Sequence, residues 1–371
     1  MTSVLIAPVT ITPTKPLTAS HLKGLLWVDV MYRASQLTND DVDYRYSNTT
    51  YNTTAQTLGF WEYLDRKLGD LDFESYDEHA IGDLYVQYHA DPERAPFSAL
   101  RPYLRAVDDS GWVHPVSKRL IGLWRDHYVR LGMHDPGLAD VQPPGMALDE
   151  MVDYLLDRDL CLDQRRIGGP VYLDVTRFGL PLRQIVTSWN QPNYLAAALR
   201  DLLPLAGRYD ETVLVHDRGL TEDFEMLRRV LDAVGGHAVR VVVDRVPING
   251  VAQSSRHGGW QSGTVATMLA ECSDVEPCEL RVGIRMYFLA VLGKGSAQSY
   301  DSRLVTRSVE RAGRLLAQPS PRLSLPELAE YVARCRKDHC HVDPYRLTSG
   351  LLSKHRMVPV HDLVERVYSP C

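Results

Sequence analysis

One junction near the start of the chain constrains the fold most. The apolar run Val4-Leu-Ile-Ala-Pro-Val-Thr-Ile11 passes through a proline-punctuated loop, Thr12–His21, straight into Leu22-Lys-Gly-Leu-Leu-Trp-Val-Asp-Val30. Strand, tight loop and helix N-terminus in that order are the opening of a parallel α/β unit. They aim backbone N–H groups at the place where a nucleotide phosphate would sit.

A second unit of the same kind lies further on. Val213-Leu-Val-His216 is an apolar run followed by the loop Asp217-Arg-Gly219. A helix is predicted at about 221–234, ended by Gly235-Gly236, and Val239-Arg-Val-Val-Val243 is a β-branched strand. Between the two units, Val42–Ser47 reads as a short strand and Gln56–Leu68 as a helix. Pro92, Pro96 and Pro102 break the pattern, and the parallel pattern resumes at Pro170–Val175. From about 265 onward, spacings such as those over Leu304–Leu316 and Leu325–Cys335 are helical.

The expected architecture is α/β, a Rossmann-like parallel sheet of the HUP type with a helical insertion and a C-terminal helical region. Its parts are residues 1–94 (first half of the Rossmann domain), 95–165 (mostly helical insertion), 166–270 (second half) and 271–371 (helical region).

With 371 residues the chain can bury a large core. Its formal charge of −6 argues against a broad nucleic-acid surface. No apolar run approaches the roughly 20 residues that span a bilayer, and no basic region precedes the short N-terminal apolar stretch, so a cytoplasmic protein without a membrane partner is expected. Six scattered cysteines are too few for a disulfide scaffold. Cys335, His339, Cys340 and His341 are of zinc-ligand type, but no second ligand pair lies at matching distance. No metal is assigned, and the segment reads as a helix end with an exposed polar turn.

The loop Thr12–His21 resembles the "P-T-x-P-L-H-x-G-H" signature of class I aminoacyl-tRNA synthetases, arginyl-tRNA synthetase above all. Thr18-Ala-Ser-His21 stands where the family has His-x-Gly-His. Further resemblances follow in the family's order. They are Asp43–Thr53, His127–His134, Gly169–Arg200 and Thr212–Val234, then Gln253-Ser-Ser-Arg-His-Gly258 as a worn "K-M-S-[KS]-[RS]-x-G" loop, and Gly283–Val291. The family's anticodon-binding domain is expected to be missing or much shortened, since 55 residues follow Leu316, and its N-terminal tRNA-binding extension absent.

The resemblance implies attack of an amino-acid carboxylate on the α-phosphate of ATP, then acyl transfer. It makes His21, Ser254, Ser255, Arg256 and His257 the candidate catalytic residues. Thr18, Ser20, His21, Lys23, His216 and Asp217 are the candidate nucleotide contacts, with ATP and Mg as the implied cofactor if nucleotide is still used. Thr10, Thr12, Asn48, Asn52, Asn190, Gln191 and Tyr194 are the candidate substrate contacts. Three of the family's nucleotide contacts are altered, and Thr12 and Ala198 replace the asparagine and aspartate that read arginine. A buried guanidinium without a carboxylate is costly. Arginine is therefore a poor substrate for this chain unless Asp217 or Glu222 supplies the charge.

Three readings follow. The first is a tRNA-independent ligase joining an amino acid to a small-molecule acceptor in specialised metabolism, with tRNA no direct partner. The second is an ATP-independent enzyme using an already activated or phosphate-bearing substrate. The third is a non-catalytic amino-acid-binding protein.

Overall fold

The computed structural model describes residues 2–251, 258–353 and 358–368. β1 (Ser3–Pro8), α1 (Ala19–Gln36) and β2 (Asp41–Tyr44) form the first βαβ unit. A helical stretch follows: α2 (Asn48–Asn52), α3 (Ala55–Leu68), α4 (Glu78–Ala90), α5 (Phe97–Ser110), α6 (Pro115–Leu131) and α7 (Leu148–Leu156). β3 (Cys161–Asp163), β4 (Val171–Leu173) and β5 (Arg183–Val186) come next, then α8 (Tyr194–Leu202). β6 (Glu211–His216), α9 (Thr221–Ala233) and β7 (Ala238–Val242) complete the second βαβ unit. The C-terminal helices include α10 (Val265–Glu271), α11 (Pro277–Arg285), α12 (Ser302–Leu316), α13 (Leu325–Ala333) and α14 (Pro344–Ser349).

The four parallel strands lie in the order β2-β1-β6-β7, with Ile6 opposite Val213. The two crossovers therefore run outward in opposite directions from the β1/β6 pair, which makes the carboxyl ends of β1 and β6 a topological switch point. Side chains alternate across the sheet with period two. Val4, Ile6, Val213 and Val215 join the core shared by α1 and the C-terminal helices, where Trp27, Tyr287 and Tyr368 are fully buried. Leu5, Ala7 and Leu214 face the other side, against α7, α8 and α9. A third apolar cluster, around Phe60, Trp61, Tyr85 and Leu120, is held by α3 to α6 alone.

Two local expectations are corrected. Pro170–Val175 is not part of the parallel sheet: its strand pairs antiparallel with both β3 and β5 in a separate three-stranded sheet. An apolar run of three residues carries no information about the direction of its partner. Pro102 lies inside α5 rather than ending it. Both Pro102 and Ser98, whose carbonyl loses its helical partner, are exposed, so water can replace the missing bond.

The C-terminal helices are tied to α1 by a buried ion pair. Arg285 donates to Asp29 at 2.6 Å and to the Leu131 carbonyl at 2.8 Å, with its side chain fully enclosed. No helix among the described residues is long and apolar enough to cross a membrane.

Candidate functional site

A cleft of about 820 Å³ opens at the carboxyl ends of β1 and β6. Its walls are the loop after β1, the first turns of α1, Tyr51–Gln56, Gln191–Tyr194, the end of β6 and the segment after β7 with Gly258–Trp260. That volume is within the ordinary range for small-molecule sites.

At the start of α1, the Thr18 N–H donates to His21 Nδ1 at 3.0 Å, and the Thr18 hydroxyl lies 3.2 Å from the same nitrogen. Burial lowers the His21 pKa to about 3, and the charges of Lys15 and Arg245 push the same way, while a hydrogen bond to the Pro16 carbonyl opposes the shift. The ring is therefore neutral. With Nδ1 accepting, its proton sits on Nε2, so His21 is a fixed donor rather than a cation.

Ser20, which replaces the glycine of the signature, has both its bonding capacities used. Its Oγ accepts the Val246 N–H at 2.9 Å and donates to the Val246 carbonyl at 3.2 Å, pinning the segment after β7 to α1. One turn further on, Gly24 lines the cleft, and a Cβ built there would meet nothing within 4 Å.

The end of β6 supplies His216 and Asp217, both on the cleft wall. His216 is buried, stacks on Phe224 and donates from Nδ1 to the Asp217 carbonyl at 2.8 Å. Its Nε2 is buried with no partner among the described residues, and burial lowers its pKa. That leaves a neutral acceptor on the wall. Asp217 Oδ1 accepts the Gly219 N–H at 2.7 Å, and its Oδ2 accepts from Arg245 at 3.0 Å. Asp217 is the only carboxylate among the described lining residues.

Thr10, Thr12, Gln191 and Tyr194 also line the cleft. Gln191 donates to the Thr53 carbonyl at 2.5 Å, and its buried Oε1 has no partner among the described residues. The Tyr194 hydroxyl donates to Asp223, which Arg183 also engages at 2.9 Å. Burial raises the Asp223 pKa and Arg183 opposes that rise. Asp217 is engaged by Arg245, and the exposed Glu222 is not on the cleft wall, so neither offers a guanidinium an unpaired carboxylate there. The carboxylate that meets Tyr194 is Asp223, one residue further along α9.

Four sequence candidates are placed elsewhere. Lys23 is fully buried and donates to the carbonyls of Gly295 at 2.7 Å and Lys294 at 3.4 Å, away from the cleft. Burial lowers its pKa to about 8. Asn48 donates to the Leu138 carbonyl at 2.9 Å. Asn52 is buried, with both amide atoms unpartnered among the described residues, but it is not on the cleft wall. Asn190 is in the left-handed region at φ 66° and lies on the exposed surface. Ser254, Ser255, Arg256 and His257 lie outside the described residues.

Sequence reasoning did not single out Lys15, Arg245, Gly24 or Tyr51 as wall residues. Lys15 is in the opening loop and could have been found there. Gly24 follows Ser20 by one turn of α1, whereas Arg245 and Tyr51 reach the wall only through folding.

No protein-family model and no curated protein matches the chain. Solved structures do. Arginyl-tRNA synthetase of Thermus thermophilus superposes with a TM-score of 0.61 at 14% identity, over 99% of this chain and 71% of that one. The putative arginyl-tRNA synthetase of Campylobacter jejuni gives 0.54 at 12%, over 100% and 82%. The fold is that of a class I aminoacyl-tRNA synthetase. The Plasmodium falciparum arginyl-tRNA synthetase gives 0.52 at 12%, over 98% of this chain and 61% of that one. At such identities the likeness is one of fold. Within the synthetase fold, the cleft described above lies where the parallel strands end at the switch point.

Proposed function

We propose that this protein is a cytoplasmic ligase that activates an amino acid with ATP, independently of tRNA, and passes it to a small-molecule acceptor in specialised metabolism. The observation that carries this reading is the make-up of the cleft wall. The wall combines Lys15, the neutral His21 and Arg245 with the uncharged polar groups Thr10, Thr12, Gln191 and Tyr194. Donors suit a phosphate chain, and uncharged polar groups suit an amino acid whose side chain carries no charge.

In the first step a carboxylate oxygen of the amino acid forms a bond to the α-phosphorus, and the bond from that phosphorus to pyrophosphate breaks. In the second, an amine or hydroxyl of the acceptor bonds to the acyl carbon, AMP departs and the acceptor loses its proton. The protein's part is positioning and charge stabilisation. His21 presents a neutral ring to the phosphates, Lys15 and Arg245 set the local potential, and His216 accepts from a ligand O–H or N–H. Asp217, already engaged by Arg245 and Gly219, does not suit a Mg²⁺ site built from protein carboxylates, so no step here is assigned to a metal held by the chain.

Mass spectrometry of mixtures holding the protein, amino acid, candidate acceptors and no tRNA tests the reading. AMP and a conjugate that form only when ATP is added support it. A conjugate formed equally without ATP favours instead an enzyme taking an already activated substrate.

A further inference from the structure

Away from the cleft, at the amino end of β6, the fold brings two distant segments together. Glu211, His339 and His341 offer ligand atoms that all lie within 4.8 Å of one another. We infer that these three side chains form a binding site for one divalent transition-metal ion of the zinc class, which fastens the C-terminal helical region to the amino-terminal end of the parallel sheet.

The geometry supports this directly. Glu211 Oε1 lies 2.7 Å from His341 Nδ1, and Oε2 lies 3.3 Å from His339 Nδ1. Ligand atoms on a tetrahedral zinc ion, each about 2.0–2.1 Å from the metal, stand roughly 3.3 Å apart. The two imidazole rings are stacked, 4.8 Å between centroids, so both present the same edge to the carboxylate. One carboxylate and two imidazoles favour a zinc-class ion over Mg²⁺ or Ca²⁺, which take oxygen ligands. His341 and Glu211 are buried, whereas the His339 side chain is 42% exposed, leaving an entry path and room for water as fourth ligand.

The support around the ligands is already in place. Glu211 Oε1 accepts the backbone N–H groups of Cys340 at 3.2 Å and His341 at 3.1 Å, which orient the carboxylate. Ser35 accepts the Val342 N–H at 3.0 Å, Asn39 donates to the Cys340 carbonyl at 3.1 Å, and Arg336 donates to the Thr38 carbonyl at 3.1 Å. The loop carrying both histidines is thus fixed to the end of α1. The turn expected to be exposed is in fact partly buried, and its missing ligand comes from a strand more than a hundred residues away.

The site is structural rather than catalytic. Glu211 opens β6 and His216 closes it, so about 17 Å of strand separates the metal from the cleft.

The test uses the full chain, stripped with a chelator and titrated with Zn²⁺ by calorimetry and with Co²⁺ by visible absorption. One Zn²⁺ per chain is expected, with Co²⁺ ligand-field bands and a rise in Tm. His339→Gln, at a largely exposed position that leaves the fold intact by circular dichroism, should weaken binding at least about tenfold and abolish the Tm response. Glu211→Gln should do the same if it folds. Zn²⁺ uptake of equal stoichiometry and affinity in wild type and His339→Gln, or no uptake by wild type, would overturn the proposal and leave the cluster as a hydrogen-bonded clamp.

Discussion

Arg245 donates to Asp217 at 3.0 Å, and this pair occupies the only carboxylate among the described residues of the cleft wall. A cationic amino acid therefore meets no unpaired negative charge there. Arg245→Gln frees Asp217 and removes a cation from the cleft wall. The expected outcome is weaker nucleotide binding, by about tenfold or more in a thermal-shift titration. The pair is partly exposed, so the change in stability should stay within about 1 kcal/mol.

Gly24 offers a way to block the cleft without damaging the fold. It lies in α1, and a side chain there would project into open space. Gly24→Leu should raise stability by up to about 1 kcal/mol through helix propensity. It should also abolish binding of any cleft ligand. A variant that keeps full ligand binding would show that the ligand sits elsewhere.

Lys23 separates position in the signature from position in space. Two residues beyond His21 on a helix is a turn of about 200°, so Lys23 faces the interior rather than the cleft. Lys23→Met leaves the carbonyls of Gly295 and Lys294 without their buried donor. A loss of about 1–3 kcal/mol in denaturant unfolding is expected, with nucleotide affinity in the surviving folded protein unchanged.

That example shows what the sequence could and could not convey. Both βαβ units were legible, because Val4–Ile11, Val213–His216 and Val239–Val243 are apolar runs bounded by loops and a Gly235-Gly236 stop. The cleft was legible in part: Thr12, His21, His216 and Tyr194 follow from the order of motifs along the chain. Strand direction at Val171–Leu173 was not, since pairing partners leave no mark on so short a run. Nor was the engagement of Asp217 by Arg245 or of Tyr194 by Asp223, because each joins residues from separate elements whose approach depends on the completed sheet.

His21 makes stability depend on pH with a definite sign. Its folded pKa of about 3 lies below the ordinary 6.5, so protonation favours the unfolded chain. The stabilising contribution is full above pH 6.5 and is lost as pH falls from there toward 3. Between pH 7 and 5 the loss is at most about 2 kcal/mol. His114, His134 and His216 shift in the same direction, so the comparison must be with His21→Gln. Urea unfolding at both pH values should show a shallower pH dependence in that variant than in wild type.

The central claim is amino-acid activation by ATP in this cleft without tRNA. ATP–pyrophosphate exchange, run with each amino acid in turn and no tRNA present, tests it most directly. The account predicts exchange with an amino acid whose side chain is uncharged, none with arginine, and loss of exchange in Gly24→Leu. Exchange that appears only when tRNA is added, or no exchange with any amino acid together with no binding of ATP, would contradict it.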